Sequence, residues 1–225
     1  MTIKLYNEDN MKFETSDKVD LVYCDMIYEN NTDFSWVIKY WDILKISGLF
    51  IVQTDHHSIF EIGSYLKRIV GSYFVNHIVW RCEWGNFPKD RFRQNFDDIL
   101  IFSKGLDFKF YPERAQVSKA TLTKGLNPSG RTTKLATTWI DTCVLTTTAK
   151  ERVKKNDGHL IRWQKPLSLF DYIMFPFTDE NDIIVDPFMG SGSLAEWSKI
   201  NNRQYVGIEN DKEVFELAKK RIDNI

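Results

Sequence analysis

Residues 183–209, IIVDPFMGSGSLAEWSKINNRQYVGIE, read as a short apolar strand, a glycine turn, a helix and a second strand that ends in an acid. Ile183, Ile184 and Val185 form a β-branched run suited to a parallel sheet buried on both faces, and Asp186 stands where such a strand leaves it. Ligands of open α/β sheets bind at that edge. Gly190 and Gly192 permit a sharp turn and close approach of backbone to ligand, and Ser193 is expected to begin the helix as its N-cap. The second strand, 204–208, delivers Glu209 to the same edge 23 positions after Asp186. That is close to the ~20-residue spacing at which an acid grips ribose hydroxyls. Position 195 is Ala and position 193 is Ser, so the third glycine of the dinucleotide fingerprint is missing. An adenosyl ligand smaller than NAD or FAD is expected.

Working outward, short apolar runs at 3–6, 19–24, 49–53, 74–81 and 98–102 read as strands, the first two closing on acids. Between them, Phe34, Val37, Ile38, Trp41 and Leu44 recur at helical spacing, predicting a helix over 32–45 that Gly48 stops, and a second helix is expected over 58–70. Further helices are expected at 167–175 and 212–222. Alternation of this kind predicts an α/β fold, a largely parallel sheet with helices on both faces. It lapses between 105 and 158, where Thr, Lys and turn formers dominate and Trp139-Ile140 suggests a short strand within a small insert.

The chain of 225 residues, 43% hydrophobic, is long enough to bury a full core. No apolar run approaches the ~18–20 residues that span a bilayer, and the first ten residues have no secretory pattern, so a cytoplasmic protein with no membrane contact is expected. Cys24, Cys82 and Cys143 are far apart and form no CxxC pair or Cys/His cluster, and the adjacent His56 and His57 lack further ligands. Reduced thiols and no metal are expected. The net charge of −1 conceals 13 Lys and Arg against 5 Asp and Glu over residues 104–165. A basic segment in an acidic body is the footprint of a phosphate-binding surface, or of a solvated loop. Arg91, Arg131 and Lys134 are candidates for phosphate or guanine contacts, and Trp84, Phe87 and Trp139 for base stacking.

A second constellation, Asp25-Met26-Ile27-Tyr28, directly follows the buried strand 19–24. An exocyclic base amine is a poor nucleophile because its lone pair is delocalised into the ring. A carboxylate and a backbone carbonyl that accept its two N–H bonds aim that lone pair at a methyl group. Asp25 and the carbonyl of Met26 have the types and order required, and Tyr28 offers a flat surface for a flipped base.

With DMIY at 25–28 and DPFMGSG at 186–192, the chain resembles the β-class amino DNA methyltransferases, which use S-adenosylmethionine and carry a DPPY-type motif before the cofactor motif. The resemblance extends to Asn7-Glu8-Asp9-Asn10, to LKISGLF at 44–50, to Trp80, Arg91-Phe92 and Asn95-Phe96-Asp97, and to HLIRWQKP at 159–166. It implies a circularly permuted, Rossmann-like, mostly parallel seven-stranded methyltransferase sheet. A catalytic half would lie in 1–104, a target recognition insert in 105–158 and a cofactor-binding half in 159–225.

By the same resemblance Asp25, Met26 and Tyr28 hold the target amine. Asp186, Phe188, Gly190 and Gly192 cradle the methionine end of the cofactor, with Gln164 and Lys165 near its carboxylate, Glu209 on the ribose and Asp9 on the adenine amine. The basic insert reads DNA. An acid at the first catalytic position points to adenine N6. The family's two prolines are Met26 and Ile27 here, which removes the fixed φ angles that aim the residue-26 carbonyl. The competing readings are a catalytically weak or inactive cofactor-binding DNA-binding protein, a cytosine-N4 enzyme, and a methyltransferase of RNA or of protein amides. The chain is compatible with a homodimer and with a restriction endonuclease partner.

Overall fold

The computed structural model describes residues 2–26, 33–55, 57–68, 71–82, 88–119, 131–142, 144–155, 157–161 and 163–225. Ile27, Tyr28, His56, Trp84, Phe87, Cys143 and residues 120–130 of the insert lie outside them.

The elements run β1 (Ile3–Asn7), β2 (Val19–Asp25), α1 (Ser35–Asp42), β3 (Leu44–Thr54), α2 (Ile59–Arg68), β4 (Tyr73–Arg81), β5 (Phe96–Ser103), β6 (Gln116–Ser118), β7 (Thr133–Leu135) and β8 (Trp139–Ile140). They continue with α3 (Leu167–Met174), β9 (Ile183–Asp186), α4 (Ser193–Ile200), β10 (Gln204–Glu209) and α5 (Lys212–Asp223). Eight strands form one sheet in the order β1-β10-β9-β2-β3-β5-β4-β8. Only β5 runs antiparallel to its neighbours. The eighth strand is the two-residue β8, contributed by the segment expected as an insert, and β6 and β7 make a separate ribbon.

Strand period decides the layers. Leu21 and Tyr23 of β2, Leu49 and Ile51 of β3 and Ile184 of β9 point to a core shared with Leu169 and Phe170 of α3, Trp197 of α4 and Ala218 of α5. The alternate residues Val22 and Cys24, Phe50 and Val52, and Val185 face Trp36, Val37 and Tyr40 of α1 and Ile62 of α2. Both faces are therefore covered, as a sheet of continuous apolar runs requires.

Two local expectations are corrected. The helix expected to reach residue 45 ends at Asp42, and Leu44 already pairs with Val19 in β3. Lys104 Nζ donates to the carbonyls of Trp41 and Leu44, and Lys18 Nζ donates to that of Asp42, so cations brought from elsewhere satisfy the end of α1. Gly48 lies inside β3, where the pairing shifts register; a Cβ there would stand 2.9 Å from the Lys45 carbonyl. The second correction concerns Ser193, which is the first helical residue of α4. The N-cap is Gly192, at φ +73°.

No helix of the described residues is long and apolar enough to cross a membrane.

Candidate active site

β9 and β2 lie side by side, Leu21 opposite Ile184 and Val22 opposite Val185, although one strand opens the chain and the other nearly closes it. Their carboxyl ends sit where the strand order reverses, the crevice in which open α/β sheets take ligands. Asp25 and Asp186 both end there.

The Asp186 carboxylate is buried, accepting from Phe188 N at 3.0 Å and from the Tyr205 hydroxyl at 3.0 Å. Burial pushes its acid up to about 7 against the pull of those two bonds, and the charges of Asp25 and Glu209 add to the rise. The following turn carries Gly190 at φ +54° and Gly192 at φ +73°. A Cβ on Gly190 would meet nothing closer than the Phe188 carbonyl at 3.9 Å, so this glycine borders open space. A Cβ on Gly192 would stand 3.1 Å from Ala218 Cβ, so this one lets α5 pack close. Glu209 accepts from Gly190 N at 2.9 Å and Asp211 N at 2.8 Å, joining the end of β10 to the turn, and burial raises its acid as well. Behind the turn, Arg221 pairs with Glu196 and donates to Ser193 Oγ and the Ser191 carbonyl.

On the opposite wall Asp25 is paired with Lys165, Nζ to Oδ2 2.7 Å. Lys165 Nζ also donates to the carbonyl of Trp163 at 3.3 Å. Trp163 is 65% exposed and holds a left-handed φ of +62°, an unusual conformation for a bulky residue. It is not among the candidate residues of the sequence, where its one mark is its place immediately before the QKP triplet. A buried polar tie beside Asp25 is likewise not among them. The Tyr23 hydroxyl donates to Gln53 Oε1 at 2.7 Å, Gln53 Nε2 donates to Asp97 Oδ2 at 2.9 Å, and Cys82 Sγ donates to Asp97 Oδ1 at 3.8 Å. A Gln closing the apolar run LFIVQT was its only local signal.

The other candidate residues are distributed as follows. Phe188 meets Trp36 edge-to-face at the same edge. Asp9 closes a turn by accepting from Met11 N, and that turn is held on α1 by the Tyr40 hydroxyl, which donates to the Asn10 carbonyl. Tyr40 is buried and feels both Asp186 and Asp9, so the acidic turn and the end of β9 face a common region. Gln164 is engaged with the chain itself, accepting from Val153 N and donating to the Glu151 carbonyl. Arg91, beside Asp90, lies on the connection between β4 and β5, at the edge where β2 and β3 end. Trp139 is half exposed on β8, opposite Val79. Lys134 sits on β7 of the separate ribbon and Arg131 just before that strand, both exposed. Among the described residues no group of three His, Cys, Asp or Glu is placed to hold a metal.

Comparison with known proteins adds the family. The N6/N4 methyltransferase family model, described as DNA methylase, matches residues 19–220. The Type II methyltransferase M.HpaI of Haemophilus parainfluenzae is 28% identical over 195 residues, 84% of this chain and 58% of that protein. The chain thus spans about three fifths of the length of that curated relative. Among solved structures, the M1.HpyAVI–SAM complex superposes with a TM-score of 0.72 at 23% identity, covering 98% of this chain and 100% of that one. The PvuII DNA methyltransferase, named as cytosine-N4-specific, gives 0.73 at 14% identity over 100% of this chain and 88% of that one. These two show that the fold is shared, and with the family match over most of its length the chain belongs to the N6/N4 amino DNA methylases.

Proposed function

We propose that this chain moves a methyl group from S-adenosylmethionine to the exocyclic amine of a base flipped out of DNA. The observation that carries the reading is the meeting of Asp25 with the Asp186–Gly190–Glu209 turn at one sheet edge.

The residues at that edge suit the cofactor. Gly190 borders open space, Glu209 offers further lone pairs to ribose hydroxyls, and Asp186 and Lys165 supply charges of opposite sign for an amino acid's two ends. Phe188, Gly192 and Asp9 complete the proposed set, with Gln164 securing the chain beside Lys165. M1.HpyAVI, solved as a SAM complex, supports the assignment. The cofactor's contribution is a methyl group on a positively charged sulfur. The chain's own contribution is to hold the amine: Asp25 and the Met26 carbonyl accept its two N–H bonds, Tyr28 stacks the ring, and Asp25 or water takes the departing proton.

Adenine N6 is the reading favoured by the acid at position 25. Cytosine N4 is the second reading, favoured by the cytosine-N4 specificity of the PvuII enzyme. The basic insert at 105–158, with Arg131, Lys134 and Trp139, and Arg91 on the neighbouring loop are proposed to contact DNA in a cytoplasmic setting. A homodimer and a restriction endonuclease partner belong to the proposal, the latter supported by the Type II designation of M.HpaI. Incubation with tritiated S-adenosylmethionine and mixed-sequence duplex DNA, followed by nucleoside analysis, tests it. N6-methyladenine is expected, N4-methylcytosine would establish the second reading, and label in RNA but not duplex DNA would overturn both.

A further inference from the structure

The family's first proline has become Met26, which keeps a backbone N–H that proline lacks. That N–H donates to the Gln53 carbonyl at 3.3 Å, carrying the β2–β3 pairing one residue past the Asp25–Gln53 pair. The Met26 side chain is 3% exposed and belongs to the buried cluster that includes Cys24, Phe34, Trp36 and Val185. Residue 26 is therefore held from two sides, by a hydrogen bond on its backbone and by burial of its side chain.

Gln53 is itself completely buried. Its amide oxygen accepts from the Tyr23 hydroxyl on β2 and its amide nitrogen donates to Asp97 on β5, which also receives the thiol of Cys82 after β4. A polar side chain in the centre of a sheet is costly unless satisfied, and here the partners come from β2 and β5, the strands on either side of β3. An apolar residue would fill the same volume without them.

We infer that Gln53 is a positioning residue for the proposed methyl transfer: locked by Tyr23 and Asp97, it fixes the Asp25–Met26 corner through the Met26 N–H and does the aiming that a proline ring does elsewhere in the family. This rests on the reading of Asp25 and Met26 as holders of the target amine. The loss of the prolines is then a replacement of one constraint by another, and restoring a proline removes the second constraint.

Three variants test it: Gln53→Met, which removes the side-chain bonds at similar volume, Met26→Pro, which deletes the N–H, and Met26→Leu, which keeps it. Single-turnover transfer is measured beside cofactor affinity and backbone hydrogen exchange at Met26 in the cofactor-free protein. Misplacement of reacting groups costs about tenfold to a hundredfold, so Q53M and M26P are expected to lose at least about tenfold in transfer rate. Cofactor affinity is expected to hold within about threefold, and M26L to lose much less rate than M26P. The Met26 amide is expected to exchange slowly in the wild type and about tenfold faster in Q53M. A rate for M26P at or above wild type overturns the inference, as does an equal loss of rate and cofactor affinity in Q53M, or Met26 exchange unchanged by Q53M. Should the wild type methylate no nucleic acid, the proposed function falls, and the exchange measurement alone decides whether Gln53 holds the corner.

Discussion

Lys165 Nζ lies 2.7 Å from Asp25 Oδ2, with only 6% and 19% of the two side chains exposed, so the last third of the chain supplies the counter-ion of an acid near its beginning. The pair ties the wall of the crevice that is proposed to hold the base to the segment proposed to approach the cofactor. Breaking a buried pair by removing one member costs about 3–5 kcal/mol, and the residual solvent contact of Asp25 reduces that here. Lys165→Met is expected to lower unfolding stability by about 2 kcal/mol. Lys165→Met combined with Asp25→Ala is expected to lose less than the sum of the single changes, because the second change removes the orphaned charge. Urea unfolding measures both, and strictly additive losses would show that the pair is not coupled.

Asp186 makes stability fall as pH rises. Its acid is pushed up to about 7, above the ordinary carboxyl value near 3.8, so between those two pH values the folded chain holds a proton that the unfolded chain has released. Stability therefore declines from about pH 4 to about pH 7, by up to roughly 4 kcal/mol for a shift of this size. Glu209, raised in the same direction, adds to the decline. Asp186→Asn keeps an acceptor for Phe188 N and is expected to flatten the profile of Tm against pH over this window. An unchanged slope would contradict the assignment.

The places where sequence and structure part have physical causes. The runs 19–24 and 183–185 were legible as buried strands because β-branched and apolar residues are continuous there and an acid closes each. Asp186, the glycine turn and Glu209 were legible because their spacing is local to one strand-turn-helix-strand unit. The end of α1 was not, because Lys18 and Lys104, which donate to its last carbonyls, come from outside the helical pattern, and Gly48 looked like a stop while serving as a bulge. The tie of Tyr23, Gln53 and Asp97 depends on β2, β3 and β5 being neighbours, which no spacing in the sequence states. The motif around Gln164 is visible in the sequence, whereas its hydrogen bonds to the backbone at 151 and 153 depend on how that segment folds back.

Gly190 and Gly192 should respond differently to alanine. Both hold left-handed φ angles, a strain of about 1 kcal/mol for a residue with a Cβ. At Gly192 the new methyl also presses on Ala218 at 3.1 Å, so Gly192→Ala is expected to lower Tm further than Gly190→Ala. At Gly190 the methyl enters open space beside the turn, so Gly190→Ala is expected to weaken S-adenosylmethionine binding with little added loss of stability. Calorimetric titration and thermal melts separate the two, and equal cofactor affinity in Gly190→Ala and wild type would move the proposed cofactor site away from this turn.

The basic segment predicts a salt dependence. If Arg131 and Lys134 neutralise phosphates, log affinity for duplex DNA falls linearly with log salt concentration, and Arg131→Ala with Lys134→Ala makes the slope shallower by roughly 2. Fluorescence anisotropy at several salt concentrations measures it. A slope unaffected by the double change would remove the ribbon from the DNA-binding surface.

The most direct test of the central claim, that one end of the chain grips the base amine and the other the methyl donor, is to compare methyl transfer and cofactor affinity in Asp25→Ala. Transfer of tritium from S-adenosylmethionine to duplex DNA is expected to fall at least about a hundredfold, while the dissociation constant for the cofactor, read by calorimetry, stays equal to wild type or tightens as Lys165 is released. Parallel loss of both, or transfer that survives the substitution, would contradict it.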